Sequence, residues 1–135
     1  MSSRRPLDGI DRLLIDGNNL LHRHSGGVTD GALRGLLIDL RRKLPPTVHA
    51  TLVLDGHPAP GMPAYRRIDS QLDFRHAGSQ SADDAMVAEV GGLHWQARGR
   101  TIVVTDDRAL ADRSRSAGAQ TRRLDWLSAL PPLRR

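Results

Sequence analysis

Apolar positions along the chain follow two different rhythms. Short continuous apolar runs occur at Leu13-Leu14-Ile15, at Ala50-Thr51-Leu52-Val53-Leu54 and at Thr101-Ile102-Val103-Val104. Each run ends in turn-forming residues, as expected of strands buried on both faces of a sheet. Between them the spacing changes. Leu33, Leu36, Leu37, Leu40 and Leu44 recur every three or four residues, with Arg34, Arg41 and Arg42 interleaved. That pattern predicts an amphipathic helix, stopped by Pro45-Pro46. Ser81 is a good N-cap for a helix from Ala82, with Met86, Val90, Leu93 and Ala97 as its apolar stripe. Gly91-Gly92 should weaken or kink it. A helix from about Arg108 to Ala117 should stop at Gly118, followed by a short strand from Ala119 to Arg123. Asp125 reads as the cap of a closing helix containing Trp126, Leu127 and Leu130.

The segment from His57 to Ser70 holds three prolines and reads as a loop. Gln71 to Arg75 reads as a short edge strand. The resulting order, β-α-β-(loop)-β-α-β-α-β-α, predicts an α/β fold with a parallel sheet and helices on both faces. The 135 residues suggest a single domain spanning 1–135, with a core at about 11–130.

Composition narrows the chemistry. There is no cysteine, so disulfides and thiolate metal sites are excluded, and a reducing cytoplasm fits. Any metal must be held by oxygen or histidine. His22, His24, His57 and His76 match no zinc spacing. Basic residues outnumber acidic ones, 20 to 15, and Lys43 is the only lysine. The excess positive charge attracts polyanions. Aromatics are limited to Trp95, Trp126, Tyr65 and Phe74, too few for a base-stacking platform. No apolar run approaches the roughly 20 residues of a membrane span, and Met1 to Pro6 lacks the apolar stretch expected of a signal peptide. A soluble cytoplasmic protein, monomer or homodimer, is expected.

Three apolar strands end in aspartate: Ile15-Asp16, Leu54-Asp55 and Val104-Thr105-Asp106-Asp107. Asp83 and Asp84 open a helix. In an open parallel sheet the carboxyl ends of the strands lie along one edge, and ligands bind where strand order reverses. Aspartates distant in sequence therefore converge. Two carboxylates about 5 Å apart, at an effective dielectric near 20, repel by roughly 3 kcal/mol. Such a group raises its pKa values or recruits a cation. An oxygen-only site suits Mg²⁺ or Mn²⁺, ions that promote phosphodiester hydrolysis. Each aspartate also has a structural role open to it. Asp55-Gly56 is a turn dipeptide, and Asp83, Asp84, Asp106 and Asp107 suit helix N-termini. Asn18 and Asn19 either hydrogen-bond an aspartate, a metal-bound water or a phosphate, or occupy turn positions with positive φ. Arg66, Arg67, Arg75 and Arg108 flank the cleft as phosphate contacts or as a solvated basic face.

Several of these segments together resemble a known family. Leu14-Ile15-Asp16-Gly17-Asn18-Asn19-Leu20 is similar to the opening "hhDGxN" strand and turn of the NYN domains, a branch of the PIN-like nucleases. Ser81-Ala82-Asp83 resembles the "T-A-D" helix start of the YacP-like group, and Thr101 to Arg108 its "V-x-T-S-D-R" strand and turn. Gly118-Ala119 resembles its "G-A" close. The similarity spans about residues 11 to 127. It implies a PIN-like three-layer α/β/α sandwich, with a central, mainly parallel sheet of about five strands. It also implies a metal-dependent endoribonuclease with one or two Mg²⁺ or Mn²⁺ ions and RNA as partner. Carried over by position, the site is Asp16, Asp83 and Asp107 with Asn19; Asp55, Asp84 and Asp106 are further metal-ligand candidates.

Two other functions are open to such a sequence. One is a non-catalytic RNA-binding module of the same fold. The other is a phosphoryl-transfer domain of the haloacid-dehalogenase or receiver type. The first of those wants a second aspartate where Asn18 stands, and the receiver wants a late lysine that this chain lacks. No G-x-G-x-x-G follows the first strand, which excludes a dinucleotide fold of the usual kind.

Overall fold

A computed structural model of the chain describes residues 6–25 and 30–133. Six strands form one sheet: β1 (Arg12–Asp16), β2 (His49–Leu54), β3 (Tyr65–Arg67), β4 (Leu72–His76), β5 (Thr101–Val104) and β6 (Gln120–Arg122). The helices are α1 (Gly17–Ser25), α2 (Asp30–Lys43), α3 (Ala82–Gly92), α4 (Trp95–Arg98), α5 (Arg108–Ser116) and α6 (Leu124–Ala129). Strand order is β3-β4-β2-β1-β5-β6. All pairings are parallel except β3 with β4. The chain moves outward from β1 to β2 and β4, then returns to place β5 on the other side of β1. The order therefore reverses between β1 and β5.

Alternation along the strands builds the two core layers. Leu13, Ile15, Leu52, Leu54, Ile102 and Val104 face α1, α2 and α6, where Leu20, Leu21, Leu40 and Leu127 cover them. Leu14, Val53 and Val103 face α3 and α5, under Met86, Val90 and Leu110. The architecture is a three-layer α/β/α sandwich of the PIN-like kind, as expected.

Several local expectations change. The sheet has six strands instead of about five, because Tyr65–Arg67 pairs antiparallel with β4 inside the predicted loop. That places β4 inside the sheet and leaves β3 at the edge. A helix, not a turn, follows Asp16, and among the described residues none other than glycine has positive φ. Gly91-Gly92 ends α3 instead of kinking it, so Ala97 belongs to the separate helix α4. The closing helix starts at Leu124 with Asp125 inside its first turn, and the distant Asp106 caps it by accepting from the Leu124 N–H at 2.9 Å.

Gly17 explains how α1 starts so abruptly. A Cβ there would stand 2.8 Å from Leu54 Cδ2 and 3.0 Å from the Val53 carbonyl oxygen. Only glycine lets the chain turn from β1 into α1 against β2. The only lysine, Lys43, is buried and donates to the Leu127 and Ser128 carbonyls at 3.3 and 3.0 Å. It ties α2 to α6 and so does not serve as a receiver-type lysine.

Candidate active site at the carboxyl edge of the sheet

Strand alternation decides which residues meet. Asp16 continues the face of Leu14, Asp55 that of Val53, and Thr105 that of Val103, so all three lie on the α3–α5 side at the carboxyl ends. Asp16 stands in register with Val53 on one side, and Ile15 with Val104 on the other. On this side α3 brings Asp83 in its first turn, and α5 brings Asp107 as its N-cap. The site therefore lies where strand order reverses, the usual ligand position in open parallel sheets.

The aspartates act as helix caps. Asp16 Oδ1 accepts from the Asn19 N–H at 3.4 Å, in the first turn of α1. Asp55 Oδ1 accepts from the Ala82 N–H at 2.7 Å, and Ser81 Oγ from the Asp84 N–H at 3.0 Å, both at the start of α3. Asp107 Oδ1 accepts from the Leu110 N–H at 3.0 Å. Capping occupies one oxygen of Asp55 and one of Asp107 and leaves the other available. The positive ends of α1, α3 and α5 then help the cluster bear its negative charge. The structural and functional readings of these residues are compatible.

Asp16 is the buried member, 7% exposed. Its Oδ2 accepts from Thr105 Oγ1 at 3.0 Å. Burial raises its pKa above the ordinary aspartate value, against the Thr105 and Asn19 hydrogen bonds, and the charges of Asp55 and Asp107 push it the same way. Asp83 is also raised, by burial first and then by Asp107, Asp16 and Asp55. Among the described residues its side chain makes no hydrogen bond, so it can turn toward a ligand. Asp16, Asp55, Asp83 and Asp107 thus lie within one another's electrostatic reach.

The remaining predicted residues are placed elsewhere. Asp84 is exposed and pairs with Arg113 at 2.8 Å, which lowers its pKa. Asp106 turns toward α6 and also pairs with Arg123 at 3.5 Å. Asn19 contributes its backbone N–H to Asp16, whereas Asn18 Oδ1 accepts from the Asp55 N–H at 2.5 Å. Asn18 is thus the asparagine whose side chain fixes an aspartate. Arg66 and Arg67 lie on the exposed edge strand β3, where Arg67 Nε donates to the Asp69 carbonyl. Arg75 pairs with Glu89 at 2.8 Å. Arg108 is exposed and opens α5, beside an open groove of about 250 Å³ also lined by Asp107, Arg115, Arg122 and Arg123. Sequence reading missed Thr105 and those three arginines. The alternation of β5 was the signal for Thr105; nothing in the sequence alone brings Arg115 to Arg122. The side chain of His24 lies outside the described residues.

The donor chemistry fits a hard divalent cation, since every group is a carboxylate oxygen. The side chains do not enclose one: among the described residues, no three His, Cys, Asp or Glu side chains are set to hold a single ion. Closing such a shell requires Asp83 and the uncapped oxygens of Asp55 and Asp107 to turn inward.

The fold is that of the PIN-like α/β/α proteins. No known family profile matches the chain, and no curated protein sequence is similar to it. Among solved structures, a point mutant of Rae1 (YacP) from Bacillus subtilis is similar, with a TM-score of 0.66 at 17% identity. The match covers 88% of this chain and 73% of that one. At that identity the likeness is one of fold.

Proposed function

We propose that this protein is a metal-dependent endoribonuclease. One observation carries the reading: Asp16, Asp55, Asp83 and Asp107 converge where strand order reverses, and burial first, then the charges of neighbouring aspartates, raises the pKa values of Asp16 and Asp83. Carboxylates held together at a cost in charge repulsion suit a cation. Asp16, Asp83 and Asp107 would hold one or two Mg²⁺ or Mn²⁺ ions, with Asp55 beside them. When bound, the ion would activate water and neutralise charge at the scissile phosphate. The chain's own part is to orient Asp16 through Thr105, to fix Asp55 through Asn18, and to hold RNA phosphates on Arg108, Arg122 and Arg123. RNA as substrate rests on the motif resemblance and on the fold shared with Rae1.

A second reading is a non-catalytic RNA-binding module. The open arrangement of the carboxylates favours it. Purified protein incubated with labelled single-stranded RNA decides between them. Cleavage with Mn²⁺, abolished by EDTA and by Asp16→Asn with the fold intact, supports the nuclease. Binding without cleavage by the wild type, across a broad set of RNAs and both ions, supports the module.

A further inference from the structure

Trp95 opens the short helix α4 and is 68% exposed. Its ring is held in place all the same. The Arg98 guanidinium lies over it, 5.3 Å from the centroid. Arg98 is itself fixed by three backbone carbonyls, donating to Leu93 at 3.0 Å, to Ala117 at 3.2 Å and to Gly91 at 2.6 Å. Those carbonyls lie at the C-terminal ends of α3 and α5, where a cation is favoured. Gly118 closes on the edge of the ring, since a Cβ there would stand 3.4 Å from Trp95 Cζ3. The indole is therefore backed by a fixed charge and presents most of its surface to solvent. It also lies at the end of a basic track. The groove beside Asp107 runs along α5 and β6 as far as Arg115 and Thr121, where Arg115 Nη1 donates to Thr121 Oγ1 at 2.7 Å. From Thr121 back to Gly118 is on the order of 10 Å of extended chain. That is about three stacked nucleotides at roughly 3.4 Å each. Arg108, Arg122 and Arg115 thus lead from the aspartates toward Trp95 at the β6 edge of the sheet.

We propose that Trp95 stacks an unpaired base of the RNA strand beyond the arginine groove. The inference rests on the reading of the protein as one that binds RNA. Charge and shape select the occupant together. The arginines of the track favour a polyanion, and the exposed indole favours a flat aromatic group. A single-stranded nucleic acid carries both, with a phosphate next to every base. Every base has a π-face, so stacking here adds affinity and fixes the path of the strand without choosing a sequence. One ring at one point of the strand suffices for this, and no platform of several aromatics is required.

A uridine dodecamer and an abasic dodecamer, equal in charge and differing only in the bases, test this in EDTA, which prevents metal-dependent cleavage. By fluorescence anisotropy the wild type should bind the uridine strand about tenfold or more tighter than the abasic one, the usual size of a single base–aromatic stack. Trp95→Ala should lower that ratio about tenfold, Trp95→Phe should keep most of it, and neither should change the salt dependence of binding, because no phosphate contact is lost. A second measurement leaves Trp95 itself intact. Trp126→Phe keeps a ring beneath Arg122 and makes Trp95 the only tryptophan. Its emission should be quenched as the uridine strand binds and unchanged as the abasic strand binds. An emission unmoved by bound uridine strand, or a ratio unaltered in Trp95→Ala, overturns the stacking, gives the ring to another class of partner and leaves the RNA reading standing. Failure of the wild type to bind either strand overturns both.

Discussion

The Thr105 hydroxyl joins two aspartates. It donates to Asp16 Oδ2 at 3.0 Å and accepts from the Asp107 N–H at 3.0 Å. One buried side chain thus sets the angle of the β1 carboxylate and the start of α5. Thr105→Val keeps the shape and removes both bonds. It should cost about 1–3 kcal/mol, because the Asp107 N–H and Asp16 Oδ2 each lose a partner. It should also raise the pKa of Asp16 further, since this hydrogen bond opposes the effect of burial. Thr105→Ser should behave nearly as wild type. Urea unfolding of the three proteins, with RNA cleavage measured alongside, checks this; equal stability of Thr105→Val and wild type would show that the hydroxyl is dispensable.

Asp16→Asn should separate activity from stability. The buried charge is unfavourable in the folded protein, and asparagine can still pair with Thr105. Melting temperature should therefore rise, by about 1 kcal/mol or a few degrees for a chain of this size. Cleavage should fall to background. A melting temperature lowered by several degrees would mean that the carboxylate holds the fold together.

How far the sequence displays this site can be judged residue by residue. The strands carrying Asp16, Asp55 and Thr105 are legible because burial on both faces leaves continuous apolar runs. Helix α1 is not, since Gly17-Asn18-Asn19 are poor helix formers. Leu20 and Leu21, each 1% exposed, hold it against the sheet, and tertiary packing overrides local preference. Strand β3 is three exposed residues among prolines, with no alternation to read. For the aspartates, turn, cap and functional roles look like rivals in sequence. In three dimensions they coincide, because a cap uses only one oxygen.

Divalent metal should stabilise the protein, and acid should remove the effect. Mn²⁺ at about 100 times its Kd adds roughly 2.7 kcal/mol at neutral pH. Asp16 and Asp83 have raised pKa values, so they protonate at a higher pH than ordinary carboxylates. The Mn²⁺ shift should therefore shrink before the usual carboxylate range is reached. Without metal the sign is opposite. These two groups contribute stability below their unfolded-state pKa, and it is lost as pH rises through their raised folded values. Thermal unfolding across pH, with and without Mn²⁺, measures both. A Mn²⁺ shift of equal size in Asp16→Asn would place the ion elsewhere.

Gly17→Ala sets two effects against each other. Alanine improves helix propensity by about 1 kcal/mol. Its Cβ, however, would lie 2.8 Å from Leu54 Cδ2 and 3.0 Å from a backbone oxygen. Leu54 is in the core and cannot swing away, so overpacking of about 1–3 kcal/mol should win. The displacement would also move Asp16 and Asn18, the neighbours of Gly17. Urea midpoint and cleavage rate should both fall; a midpoint at or above wild type would show that β2 yields.

The arginines beside Asp107 should reveal themselves through salt. Arg122 lies over the Trp126 ring, 5.8 Å from its centroid, and Arg123 pairs with Asp106, so both are held in place. Arg108 stands exposed at the start of α5. If they bind phosphates, each contact removed should flatten the plot of log affinity against log salt by about 0.7 for single-stranded RNA. An Arg108→Ala/Arg122→Ala double variant should lower that slope by about 1.4 and weaken binding equally for every sequence. Arg75, held in its pair with Glu89, should behave differently. Its replacement should leave the salt slope nearly unaltered. A double variant with the wild-type slope would take the RNA backbone away from this side of the sheet.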